Sequence, residues 1–69
     1  MRQTDMVMEY MAEHDGITSL EAVRDLGVTR LAARIADLRA AGVEIETERV
    51  RVPNRRGETC TVVRYRAVV

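Results

Sequence analysis

The tightest constraint in this chain is the four-residue stretch Leu26-Gly27-Val28-Thr29. Upstream of it, Thr18 and Glu21 have the spacing of a capping box. Ile17 and Ala22 have the spacing of the hydrophobic staple that accompanies one. A helix therefore starts at Ser19, with Leu20, Val23 and Leu26 as its buried face, and Gly27 stops it. Val28 reads as a buried turn residue and Thr29 as the cap of the next helix. A tight glycine turn between two short helices fits a steeply angled helix pair, and the same spacing also fits an ordinary small helical hairpin.

The helix that follows covers Thr29 to Gly42 and has two unlike faces. At 100° per residue Leu31, Ile35 and Leu38 fall in one narrow arc, with Ala32 at its edge. Arg30, Ala33, Ala36, Asp37 and Ala40 fall on the opposite side, and Arg34 sits on the flank. The first face is a core stripe. The second is slim, with cationic reach at its N-terminal end, as entry into a DNA major groove requires. Upstream, Thr4 to His14 reads as a first helix capped by Thr4, with Asp5 at its positive end. Val7, Tyr10, Met11 and His14 form its stripe, Glu9 and Glu13 are solvated, and Gly16 closes it. His14, the single histidine, reads as a dipole partner or packing residue at the helix end.

After Gly42 the period changes from 3.6 to 2. Val43, Ile45, Thr47 and Arg49 alternate with Glu44, Glu46, Glu48 and Val50, and a slip near Arg49 leaves room for a bulge. Thr59 to Tyr65 is rich in β-branched residues, and Pro53 to Glu58 is a turn by composition. The pair reads as a hairpin with a basic tip. Ile17 can add a very short third strand, and Ala67-Val68-Val69 is an apolar tail that can cap the core, fray or touch another subunit. The fold class is α+β.

At 69 residues the chain is expected to form one domain, 1–69, of modest stability. Tyr10 and Tyr65 are the only aromatics, so Val, Leu, Ile, Met and Ala must build the core. One cysteine, Cys60, allows no intrachain disulfide and no thiolate metal site. One histidine, no Gly-rich phosphate loop and no deep core leave no nucleophile–base set, so neither an enzyme nor a cofactor or small-molecule substrate is expected. Glu44, Glu46 and Glu48 read as a solvated, ion-paired edge rather than a metal site. No run approaches a membrane span, and no signal-peptide core follows Met1-Arg2-Gln3-Thr4, so a cytoplasmic protein is expected.

The formal net charge of zero hides a segregation. Residues 1–28 carry −4, residues 29–43 carry +2, residues 44–48 carry −3 and residues 49–69 carry +5. All eleven basic residues are arginines, the side chain with forked donors.

Ile17-Thr18-Ser19-Leu20-Glu21-Ala22, Gly27-Val28-Thr29-Arg30-Leu31-Ala32-Ala33-Arg34-Ile35, Asp37-Leu38-Arg39 and Gly42 together resemble the winged helix-turn-helix family over essentially the whole chain. The likeness is greatest to small stand-alone proteins of phages and prophages. It implies three helices followed by a two-stranded wing, in the order α-(short β)-α-α-β-β. It further implies double-stranded DNA as partner, helix 30–41 in the major groove and wing 53–58 on the backbone or minor groove. That places Thr29, Arg30, Ala33 and Arg34 at the groove and Asn54, Arg55 and Arg56 at the wing tip. Asp37 departs from this pattern, because it lies on the same face and repels phosphate unless it accepts from a cytosine amine or pairs with Arg30, Arg34 or Arg39. Arg49, Arg51, Arg64 and Arg66 are expected to pair across strands with Glu44, Glu46 or Glu48. The expected role is a small transcription regulator or an excisionase-like factor, acting as a monomer or weak homodimer. The alternative is a protein-interaction module that uses the acidic first half, with Met6, Met8 or the Val68-Val69 tail at the interface.

Overall fold

In the computed structural model, which describes residues 2–68, the chain runs α1 (Gln3–His14), β1 (Ile17–Thr18), α2 (Ser19–Glu21), a single π-helical turn (Ala22–Leu26), α3 (Leu31–Ala40), β2 (Ile45–Pro53) and β3 (Thr59–Ala67). The strand order is β1-β3-β2, antiparallel throughout. This is the expected element order, including the short strand at Ile17. Val69, part of the expected apolar tail, lies outside the described residues, as does Met1.

The core is wholly apolar. Val7, Tyr10 and Met11 of α1 meet Ile17, Ala22, Val28, the Leu31–Ile35–Leu38 stripe of α3 and Ile45 of β2. No polar or charged residue among the described ones is buried. His14 ends the α1 stripe outside this core, exposed, with its ring 4.2 Å from that of Tyr10.

Both halves of the capping box are present. The Glu21 N–H donates to Thr18 Oγ1, and the Thr18 N–H donates to Glu21 Oε1. The staple pair, Ile17 and Ala22, is completely buried. That pair corrects the expected face of the second helix. Leu20 is 70% exposed and Val23 48%, although both were expected inside. With Ala22 pinned inward by the staple, Leu20 lies about 200° away and Val23 about a right angle away. Only Leu26, one turn on, returns to the core side. At Gly27 the backbone turns left-handed (φ 70°), and the Val28 N–H bonds back to the Ala22 carbonyl.

Three further expectations are corrected at helix ends. Arg2, not Thr4, precedes α1, with no side-chain cap. Arg30, not Thr29, precedes α3, also without one, and α3 spans Leu31–Ala40 rather than 30–41. Asp15, not Gly16, takes the left-handed position that ends α1. Gly16 serves a different purpose. A Cβ there would stand 2.8 Å from Arg64 Cδ and 3.2 Å from the Tyr65 carbonyl, at φ +141°. Its absence lets the chain enter β1 directly against β3.

The hairpin holds one continuous register from Ile45↔Ala67 to Pro53↔Thr59, so the slip near Arg49 produces no bulge. The Val68 N–H extends the same ladder to the Glu44 carbonyl. The apolar positions change face instead. Ile45 lies in the core, while Val50 and Val52, on the other face, stand opposite Val62 and Cys60 where the hairpin leaves the body. The result is an elongated molecule, 39 × 22 × 20 Å.

The corrected helix phase is testable by thermal or chemical denaturation. Leu20→Ser should change stability by no more than about 0.5 kcal/mol. Ile35→Ala should cost about 2–5 kcal/mol. Comparable losses from the two would mean that Leu20 is packed after all.

Candidate nucleic-acid interface

The buried stripe of α3 fixes which of its residues look outward. Arg30, Ala36, Asp37 and Ala40 are exposed, and Ala33 is half-buried. The three arginines of this segment then meet different fates. Arg30, just ahead of the helix, is exposed, and its side chain makes no hydrogen bond or ion pair among the described residues. Arg34 lies on the flank facing α1, with its side chain only 30% exposed. Its Nε stands 3.2 Å from Asp37 Oδ2, an ion pair whose angle falls short of a hydrogen bond, and its Nη1 donates to Gln3 Oε1 at 3.3 Å. Arg39 is structural. Its Nη2 donates to the Ile45 carbonyl at 2.9 Å and to Thr47 Oγ1 at 3.0 Å, and its guanidinium lies 6.0 Å from the Tyr65 ring centroid. Of the three pairings open to Asp37, the one that forms is with Arg34.

At the far end of the hairpin, Asn54 organises the turn. Its Oδ1 accepts from the Arg56 and Glu58 N–H groups at 2.9 and 3.0 Å, and its backbone N–H donates to the Glu58 carbonyl at 2.7 Å. With its carbonyl oxygen committed inward, Asn54 holds the loop so that Arg55 and Arg56 stand exposed at the tip. The structure therefore brings Arg55 and Arg56 together. Thr29, Arg30 and Ala33 lie on a different element, at the start of α3.

The hairpin arginines divide by register. Arg66 reaches Glu48 and Asp15, each at 3.4 Å, tying the sheet to the end of α1. Arg64 packs against Gly16 and, contrary to expectation, makes no ion pair with a glutamate among the described residues. Arg49 and Arg51 do not pair with glutamates as expected. They face Val63 and Thr61 across the ladder, are exposed, and make no ion pair among the described residues. Sequence spacing alone does not tell the four arginines apart. Only the register shows that 49 and 51 share a strand face whose opposite positions carry no acid.

A second constellation has no local signal in the sequence. Tyr10 Oη donates to Asp25 Oδ2 at 2.6 Å, and Arg24 grips the same carboxylate through Nε at 2.8 Å and Nη2 at 3.1 Å. The grip of Arg24, followed by the Tyr10 hydrogen bond, lowers the Asp25 pKa to about 2, and the same bond raises that of Tyr10. The cluster clips α1 to the π-helical turn that leads into α3. Fifteen residues separate Tyr10 from Asp25, so no local spacing announces the contact.

A carboxylate whose pKa falls on folding stabilises the fold above its unfolded value, and that contribution disappears as pH falls toward the folded value. The Asp25 contribution should therefore be complete above about pH 4 and lost as pH drops toward 2. Denaturation curves of the wild-type chain and Asp25→Asn should differ near neutrality and converge between pH 4 and 2. A constant difference across that range would rule the clip out as an acid-labile contact.

Among the described residues no helix is long and apolar enough to cross a membrane, and no group of three or more His, Cys, Asp or Glu is placed to hold a metal ion. No curated protein and no solved structure matches the chain. A family model described as a winged helix-turn-helix domain matches residues 2–67. The match covers nearly the whole chain and agrees with the element order, so the chain belongs to the winged helix-turn-helix domain family, a DNA-binding fold.

Proposed function

We propose that this protein binds double-stranded DNA sequence-specifically, as a small transcription regulator or an excisionase-like factor, and does so as a monomer or weak homodimer. In this reading α3 enters the major groove and the 53–58 tip lies on the backbone or in the minor groove. The observation that carries it is the outward ridge of α3. That ridge holds one unpaired cation, Arg30, at its N-terminal end, then alanines and one acid, with nothing bulky to keep the helix out of a groove.

Two further features support it. α2 has a complete capping box, whereas α3 has no side-chain cap, so its first-turn N–H groups remain available to a phosphate beside Thr29. Arg49, Arg51, Arg55 and Arg56 form a line of exposed cations, free of acidic partners among the described residues, that runs to the hairpin tip. Arg30 and Ala33 are then the base-side contacts, and Arg34 supports them from the flank. Asn54 acts by shaping the tip.

The protein-interaction alternative has one observation in its favour. Leu20 and Val23 are exposed apolar residues, and Leu20 borders Val62 and Val63 in a shallow groove.

Titration of a labelled duplex across salt concentrations separates the two readings. Affinity for DNA should fall steeply with salt, and Arg55→Ala and Arg56→Ala should each flatten the log–log slope by about 1 without changing sequence preference. Arg30→Ala should instead remove about 1–3 kcal/mol of preference at one base pair. A salt-insensitive, sequence-indifferent response would sink the DNA reading and leave the Leu20–Val23 face as the working surface.

A further inference from the structure

The acid on the α3 ridge is the feature that the proposed function leaves unexplained. Asp37 is exposed (57%) and stands seven residues, two turns, beyond Arg30 on the same ridge. A bare carboxylate on a groove-facing helix is repelled by the phosphates that line the groove. Here it is not bare. Arg34 sits behind it, pairing with Oδ2 at 3.2 Å, and Arg34 is itself anchored by Gln3 at 3.3 Å on α1. Oδ1 has no protein partner among the described residues. The carboxylate is therefore charge-compensated on its inner side, oriented by a side chain that is only 30% exposed, and open on its outer side.

Resting on the DNA reading above, we infer that Asp37 is a specificity residue that accepts a hydrogen bond from a cytosine amine. Arg34 is its positioning residue rather than a base contact. The chemistry selects cytosine because, of the four bases' major-groove edges, cytosine offers a donor with no acceptor beside it. Adenine pairs its donor with N7, which repels a carboxylate, and guanine and thymine present acceptors. The helix sets the spacing. Seven residues at 1.5 Å rise put Arg30 and Asp37 about 10 Å apart along the axis, which is about three base-pair steps. The bound motif should thus hold a guanine read by Arg30 and, about three steps away, a cytosine read by Asp37. Between them lies a position that faces only Ala33, suited to a thymine methyl.

The test is selection of bound fragments from a random duplex library, run in parallel with the wild-type chain, Asp37→Ala, Asp37→Asn and Arg34→Ala. Circular dichroism checks that each variant is folded. Asp37→Ala should lose a preference of about 5- to 150-fold at one cytosine column while the Arg30 guanine column persists. Asp37→Asn should convert that column to adenine, since a carboxamide both accepts and donates. A merely structural role for Asp37 predicts no such conversion. Arg34→Ala should blur the cytosine column without changing its identity. A wild-type motif that Asp37→Ala and Asp37→Asn leave unchanged overturns the inference while the DNA reading stands. No motif from the wild-type chain overturns both.

Discussion

Thr18 belongs to two elements at once, and the rest of the structure depends on that. Its backbone stands opposite Arg64 in the sheet, while its side chain and its own N–H are both taken by Glu21. The strand cannot continue, because the residue that would extend it is already the cap of a helix. Ile17 and Ala22, on either side, are driven into the core as a pair. The capping interaction itself contributes only about 0.5–2 kcal/mol. Its larger effect is geometric. It fixes the azimuth of α2, hence the direction in which the chain leaves at Gly27, hence where α3 begins. Val28, completely enclosed at the corner and bonded back to Ala22, locks that angle.

The arginines show how a formally neutral chain comes to have a basic surface. Arg39 joins α3 to β2, Arg66 joins the sheet to the end of α1, Arg34 joins α3 to the start of α1, and Arg24 holds the Asp25 that Tyr10 also holds. In three of these the partners include acids: Asp15 and Glu48, Asp37, and Asp25. Such exposed or half-exposed pairs contribute orientation more than stability, because solvent screens them. What remains unpaired among the described residues includes Arg30 on α3 and Arg49, Arg51, Arg55 and Arg56 on the hairpin. Net charge counts all eleven arginines alike and so hides the division between those spent inside the fold and those left outside it.

The fold was legible in the sequence because its signals are local. The capping box, the glycine turn, the Leu31–Ile35–Leu38 stripe and the change of period after Gly42 each lie within a few residues, and each is realised. The expectations that failed depended on neighbours. Leu20 and Val23 have the right spacing for a buried face, but the staple one residue away had already chosen another. Thr29 is a good capping residue whose position the start of α3 passes over. Of the candidate site, the exposed arginines at 30, 55 and 56 were legible as charge at a helix start and a turn. The commitment of Asn54 to the turn, the anchoring of Arg34 and the freedom of Arg49 and Arg51 were not. Each is set by a hydrogen bond or cross-strand register that no spacing rule encodes.

That division bears on how a DNA complex of the proposed kind would work. Phosphate contacts supply much of the affinity and no sequence information, and base contacts supply the discrimination. Here the two sit on separate elements. The hairpin carries Arg49, Arg51, Arg55 and Arg56 unpaired on or beside a bulge-free ladder, and the start of α3 carries one unpaired cation, Arg30, ahead of its alanines. A net charge of zero keeps the long-range pull on any duplex weak, so sequence-independent binding gains little from the body of the protein. Discrimination then rests on the few groups along the α3 ridge, and their aim rests on the helix azimuth that Thr18 and the staple pair impose. In a complex of that kind, the six residues from Ile17 to Ala22 would govern how accurately the groove is read from a place outside it.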